Sequence, residues 1–276
     1  MNLQTLTNTS LSTRFIQRLE QVEGSYWMQY YRGSITYPVY SSIIAGGMAC
    51  AIPHLDILFM NRVIGLGLST PINETSLEQV IRFYEKAGSK RFFIQLPPQV
   101  ITEEIIALMS QFGFSHRNNW TKLFRTVAPL EHGTNGQLSV RQIEERESDN
   151  YGQLIFMSFN WEDSRLATWL ASTVGKRGYR HYIVSWEGRD IAAGALYVDG
   201  DMASMAFAGT LKAFRGHGAQ QLLLKRRLQD AYDMGAKFIT GETAEHLEEK
   251  PVVSYLNMKK SGFQTAYQRQ NWLLKF

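Results

Sequence analysis

Thr210-Leu211-Lys212-Ala213-Phe214-Arg215-Gly216-His217-Gly218-Ala219-Gln220 has the makings of an anion cradle. A strand-like stretch ends near Leu211, a loop with two glycines follows, and a helix starts near Gly218. Glycine lets backbone come close to an anion, and the first turn of a helix carries N–H groups with no partner inside the helix. The helix dipole adds positive potential there, and Arg215 adds a formal charge. His217, inside the loop, could touch a phosphate. The chemistry these residues suit is the binding of a pyrophosphate. A Gly-x-Gly turn also serves simply to join a strand to a helix, so the local motif leaves both readings open.

Other candidates lie downstream. Glu242 sits just past the strand-like Lys237-Phe238-Ile239-Thr240 and could take a proton from an amine, directly or through water. A solvated carboxylate is the alternative. Glu245, Glu248 and Glu249 read as a solvated acidic turn, or as a lure for a cationic substrate. Ser254, Tyr255 and Asn257 fall on a short helix, Val252 to Lys260, that ends at Gly262-Phe263. His54, His116, His132, His181 and His246 are scattered without metal-ligand spacing, and no metal site is expected. Neither a Gly-x-Ser-x-Gly elbow nor a Walker lysine is present.

The elements that must carry these residues repeat. Leu77, Val80, Ile81, Tyr84 and Ala87 line one helical face closed by Gly88; Arg91 to Leu96 reads as a strand stopped by Pro97-Pro98. Ile101 to Phe112 reads as a helix, Gly113-Phe114 ends it, and a strand follows through Trp120, Leu123 and Phe124. The same order recurs later. Leu222, Leu224, Leu228 and Tyr232 form a helix face closed by Gly235, followed by the strand at Lys237 to Thr240. The helix at 252–260, Gly262-Phe263 and a strand with Tyr267, Trp272, Leu273 and Leu274 complete it. A degenerate tandem repeat follows from that order.

Between the copies, Ala128 to Gly136 gathers Pro129, Gly133, Asn135 and Gly136, the composition of a linker. Beyond it, Leu138 to Ile143 alternates like a strand, and Asn150 to Phe159 and Ser164 to Val174 read as helices. Tyr179 to Trp186, Ile191 to Val198 and Ala203 to Leu211 read as strands joined by Gly-bearing hairpin turns. The expected fold is α/β (α+β): helices on a mixed, mostly antiparallel sheet, in two domains at 1–130 and 137–276.

With this order in place, the chain resembles the GCN5-related N-acetyltransferase (GNAT) family, in its tandem two-domain form. The phosphate loop of that family runs Arg/Gln-x-x-Gly-x-Gly/Ala after its fourth strand. Arg215, Gly218 and Gln220 stand at the marked positions, Gln220 departing from the usual Gly or Ala as in some tandem members. Ser254, Asn257 and Gly262-Phe263 resemble the Ser-x-x-Asn and Gly-Phe signature of its last helix. The resemblance covers Leu138 to Phe276 well and the first half in outline.

It implies an acetyl-CoA-dependent N-acetyltransferase in which a primary amine attacks the thioester directly. Thr210 and Leu211 would pair with the pantetheine arm, and the loop Arg215, Gly216, His217, Gly218, Ala219 and Gln220 would hold the pyrophosphate. Ser254 and Asn257 would assist across the splay between strands. Glu242 would be the base. Many members place a tyrosine where this chain has Met258, so Tyr255, one helical turn earlier, is the candidate acid. That departure also keeps open a non-catalytic acyl-CoA-binding or sensor module. In the first half, Asn61 to Ser76 carries Gly65 and Gly67 but no such loop. That copy is expected to be degenerate and to cover the sheet, shape the substrate cleft or mediate association.

Composition narrows the alternatives. The 276 residues carry 29 Lys plus Arg against 25 Asp plus Glu, a formal charge of +4, with only the short basic clusters Lys225-Arg226-Arg227 and Lys259-Lys260. No basic stripe suited to nucleic acid emerges, and a basic interaction protein using this fold without CoA ranks last. Cys50 is the only cysteine, so no internal disulfide forms. It lies in the apolar run Ile43 to Ile52, which is too short and Gly-rich to span a bilayer, and reads as a buried, inert thiol. Met1 to Thr13 is polar and lacks the apolar core of a signal peptide, so a cytoplasmic location is expected. The acceptor is a small-molecule or peptide amine, and the apolar first half could support a homodimer.

Overall fold

The computed structural model describes residues 11–130 and 136–276. Of the expected linker, positions 131–135 lie outside the described residues, as do His132 and most of the polar N-terminal stretch.

The chain opens with α1 (Thr13–Arg32), capped by the Ser12 side chain, which accepts from Phe15 N–H. No sequence expectation covered this helix. Its buried face runs Ile16, Leu19, Glu20, Glu23, Tyr26, Trp27 and Tyr30, and the two carboxylates interrupt the apolar stripe that would announce it. The apolar run at 43–52 folds as a hairpin, β1 (Tyr40–Ile44) and β2 (Gly47–Ala51). Its turn at Ala45-Gly46 has φ of 46° and 79°, which suits the right-handed twist of paired strands. Then come β3 (Arg62–Ile64), α2 (Glu74–Ala87), β4 (Arg91–Leu96), α3 (Glu103–Gln111) and β5 (Ser115–Thr126), close to the predicted bounds.

The second half contains β6 (Leu138–Gln142), α4 (Ser148–Phe159), α5 (Arg165–Ala171), β7 (Tyr179–Trp186), β8 (Arg189–Asp199) and β9 (Met202–Thr210). After them come α6 (Ala219–Asp233), β10 (Phe238–Ala244), α7 (Val253–Lys260) and β11 (Gln264–Lys275).

All the strands join one sheet, ordered β1-β2-β3-β4-β11-β5-β10-β9-β8-β7-β6. Pairing is antiparallel except at β3–β4 and β9–β10, each pair bridged by one helix, α2 or α6. The two ends of the repeat are exchanged. Strand β11 of the second half lies between β4 and β5 of the first, and β5 of the first half lies between β11 and β10 of the second. The mixed, mostly antiparallel α/β sheet matches the expectation; the exchange does not follow from the repeat alone.

Strand side chains alternate between faces, so the sheet has two coats. Cys50, Ile64 and Ile183 pack under α1, α4 and α5. Ala49, Val63 and Phe92 pack under α2 and α3, and Tyr182, Ala203 and Ile239 under α6 and α7.

His181 on β7 shows what that packing does to a titratable group. Its ring stacks on Tyr179, meets the Tyr151 ring edge-on and lies 3.0 Å from the Thr173 hydroxyl. Burial pushes its pKa down to about 3 from 6.5. The unfolded chain therefore binds the proton that the folded chain refuses, and stability falls as pH drops below 6.5. We expect a loss of about 2 kcal/mol between pH 7 and pH 5 from this residue. Melting curves across that range should show a shallower pH dependence in His181→Asn; an unchanged slope would refute the assignment.

Candidate functional site

The two parallel strand pairs end in loops that differ in one decisive respect. In the first half, β3 runs into Gly65 to Ile72 and then α2. Asn73 caps that helix: its side chain accepts from Ser76 N–H at 2.9 Å, and its own N–H donates to the Ser76 hydroxyl at 3.0 Å. Gly67 is enclosed, since a Cβ there would overlap Val100 and press on Ile72. That end is satisfied and filled.

In the second half the helix end is bare. Gly218 stands at the N-cap of α6 with φ of 91° and no side-chain cap. Gly216, at φ of 87°, faces open space where a Cβ would be. From Gly216 to Gln221, the backbone N–H groups have no acceptor among the described residues. Such donors at a helix start are suited to an anion.

The strand feeding this loop is opened as predicted from its place in the order. β9 pairs with β10 only over Met202 to Ser204, so from Met205 to Thr210 its edge toward β10 carries no ladder. A bulge helps to turn it away: Ala206 and Phe207 together stand against Ala195 of β8. The notch beside Gly241 holds the tips of Met205 and Met258, since a Cβ on Gly241 would lie 2.5 and 2.9 Å from their methyl carbons. Met258, the residue at the usual tyrosine position, is buried there.

The loop residues predicted to act together are together, with two changes of role. Arg215 turns its guanidinium inward, donating to the Thr210 carbonyl at 3.2 Å and the Ser158 carbonyl at 2.8 Å. It braces the loop against β9 and α4 instead of reaching outward with its charge. Gln220 donates to the Thr210 hydroxyl at 2.8 Å, tying the first turn of α6 to the end of β9. Leu211 is held through its N–H on Ile191 O. His217 is exposed and packs edge-on against Trp186, 4.3 Å between centroids. Asn257 accepts from Gln221 Nε2 at 3.1 Å, linking α7 to α6, while Ser254 is exposed on α7.

The predicted catalytic pair is not brought together. Glu242 follows Gly241, and the alternation of the strand sends its side chain to the opposite face, under α1. There it pairs with Arg62 at 2.8 Å and with Arg269. A carboxylate shared by two guanidinium groups is a poor proton acceptor, which corrects its reading as a free base. Tyr255 stays on the α7 side, stacked on His246 and 3.5 Å from the Thr265 hydroxyl. The two stand on different faces of the sheet.

Around Glu242 lies a buried polar network that sequence reading missed. Glu23 pairs with Arg62 at 3.0 Å, with Arg269 at 3.1 Å and with Lys122; Glu20 pairs with Arg269 at 2.8 Å and accepts from Tyr267. Gln95 joins Arg62 to Asn271. Burial raises the Glu23 pKa, but the pull of Arg269, Lys122 and Arg62 outweighs it and holds the carboxyl well below its usual range. Burial lowers that of Lys122. The network joins α1 to β3, β4, β11, β5 and β10, the strands at the exchange. Its signal in the sequence was faint: a lone charge inside each apolar strand, as in Arg62 before Val63-Ile64.

No family model matches the sequence, and no curated protein matches it. The fold is nevertheless shared with solved structures. A GCN5-related N-acetyltransferase from Kribbella flavida superposes with a TM-score of 0.64 at 12% identity, over 96% of each chain. A tandem GNAT protein from the clavulanic acid biosynthesis pathway gives 0.62 at 12% identity, over 96% of this chain and 94% of that one. A GCN5-related N-acetyltransferase from Sphaerobacter thermophilus gives 0.60 at 11%, over 83% and 80%. The chain has the tandem GNAT-type fold.

Proposed function

We propose that this chain is an acetyl-CoA-dependent N-acetyltransferase acting on a primary amine. The observation that carries the reading is the run of unpartnered N–H groups from Gly216 to Gln221, set at the bare start of α6 beside the open edge of β9. Two parallel-strand crossovers exist, and only this one leaves donors for an anion.

Acetyl-CoA supplies a thioester whose acyl carbon an amine can attack. The residues of this chain would hold it in order: Gly216 to Gln221 at the pyrophosphate, the free edge of β9 up to Thr210 along the pantetheine, and Asn257 from α7. Met205 and Met258, unbranched and flexible, would move aside within the notch. The acceptor nitrogen must be neutral when it attacks, and no uncommitted carboxylate stands at the notch to take its proton. Water reaching the partly exposed Glu242 is the route these groups leave.

A second reading, a non-catalytic acyl-CoA-binding module, has one specific observation in its favour: buried Met258 offers no proton to a departing thiolate. One experiment separates the two. The chain with acetyl-CoA and a panel of primary amines should release free thiol in step with acetamide formation. Acetyl-CoA binding without turnover on any amine would favour the binding module, and no binding would end both.

A further inference from the structure

We propose that the acceptor of the transfer is an amine carrying a flat aromatic group, received by an aromatic lip that both halves build beside β9; this rests on the acetyltransferase reading above. Phe207, at the β9 bulge, projects toward α1 and meets the Trp27 ring edge-on, 5.3 Å between centroids. Phe59 of the first half lies 6.1 Å from Trp27, 6.1 Å from Trp161 and 6.3 Å from Phe207. Trp161 stacks on Phe159 at 4.6 Å, their planes 10° apart.

These rings are graded in exposure. Trp27 is buried, Phe59, Trp161 and Phe207 are half-buried, and Phe159 at the rim is 44% exposed. The rim touches the strand that matters: a Cβ on Gly209 would lie 3.8 Å from the Phe159 ring. An aromatic amine seated here would hold its nitrogen close to the open edge of β9.

Two further observations bear on the ligand. The indole N–H groups of Trp27 and Trp169 are buried among these rings with no acceptor among the described residues. Such a donor is costly to leave unmade, and a hydroxyl or carbonyl on the ligand would meet it. The neighbouring charges also cancel. Arg62 lies over Trp27 at 4.9 Å, but its charge and those of Lys122 and Arg269 are matched by Glu20, Glu23 and Glu242. No surplus cation is offered to a carboxylate or phosphate, and no surplus anion to a polyamine. What remains is ring stacking, which suits an arylalkylamine.

The transfer balances simply. The amine lone pair forms the N–C bond, the C–S bond breaks, and its electrons leave on the thiolate. The proton lost by nitrogen passes to solvent and reprotonates the thiolate.

The test uses the full chain with 2-phenylethylamine and n-butylamine as probes. With acetyl-CoA present, thiol release should favour 2-phenylethylamine by at least about tenfold in kcat/KM, and Phe159→Ala should raise its KM severalfold while leaving n-butylamine unchanged. Phe159 is exposed at the rim, so this variant folds. Acetyl-CoA turnover with equal or better use of n-butylamine would overturn the aromatic acceptor and leave the acetyltransferase reading standing. If acetyl-CoA does not bind, that reading fails, and quenching of tryptophan fluorescence by 2-phenylethylamine decides the lip alone. Saturable quenching, weakened in Phe159→Ala, supports it; no saturation overturns it.

Discussion

Gly218→Trp should abolish acetyl-CoA binding, with a loss of about a hundredfold or more in affinity by isothermal titration. Gly218 combines two properties at one position. Its φ of 91° is a conformation that an L side chain rarely adopts, and it stands at the head of α6 among the unpartnered N–H groups. A large side chain there would both strain the turn and cover the donors. Each hydrogen bond to a charged group contributes about 1.5–3 kcal/mol, so loss of two suffices for the expected effect. Gly235 supplies the control. It closes the same helix at φ of 85° with open space around it, so Gly235→Ala imposes comparable backbone strain far from the loop. It should melt lower and bind acetyl-CoA normally. Retained binding in Gly218→Trp would remove the loop from the cofactor site.

Arg269→Met should cost about 3–5 kcal/mol of stability, seen as a fall in melting temperature of roughly 10 °C. The Arg269 guanidinium is wholly buried and serves Glu20, Glu23 and Glu242 at once. Removing it leaves carboxylates buried against too little positive charge, which is worse than never having built the network. The pH dependence gives a second readout. Glu23 is held below its usual range in the folded chain, so its contribution is present above pH 4.5 and fades as pH falls further. Without Arg269 that pull weakens, and the gap between native and variant should narrow in acid. A deficit that stays constant into acid would mean that lost packing, not charge, is responsible.

What could be read from the sequence was what neighbouring residues decide among themselves. The cradle is contiguous, so its glycines, helix start and flanking strand announced it. The capped and filled loop of the first half was legible in Asn73 and Ser76 for the same reason. Direction was not legible. Arg215 could as well have faced outward, and only the nearness of the Ser158 carbonyl, on a helix far back in the chain, turns it in. Glu242 looked free because Arg62 and Arg269 come from distant strands. Helix α1 went unread because Glu20 and Glu23 sit on its buried face and make sense only once their partners are known. The exchange of β5 and β11 escaped because both strands carry the same pattern, and nothing local tells one which half to join.

That exchange also sets the order in which the protein can be completed. Strand β4 has no neighbour on one side until β11 arrives, and Leu96 waits for Gln270. The hydrogen bond from Tyr267 to Glu20 closes across 247 residues of chain. A nascent chain leaving the ribosome therefore carries an unfinished first half, its central strand edges open, through most of its synthesis. Contacts this remote make for high contact order and slow closure, during which exposed edges can pair with the wrong chain. The protein should be more dependent on holding chaperones during translation than its mature stability would suggest.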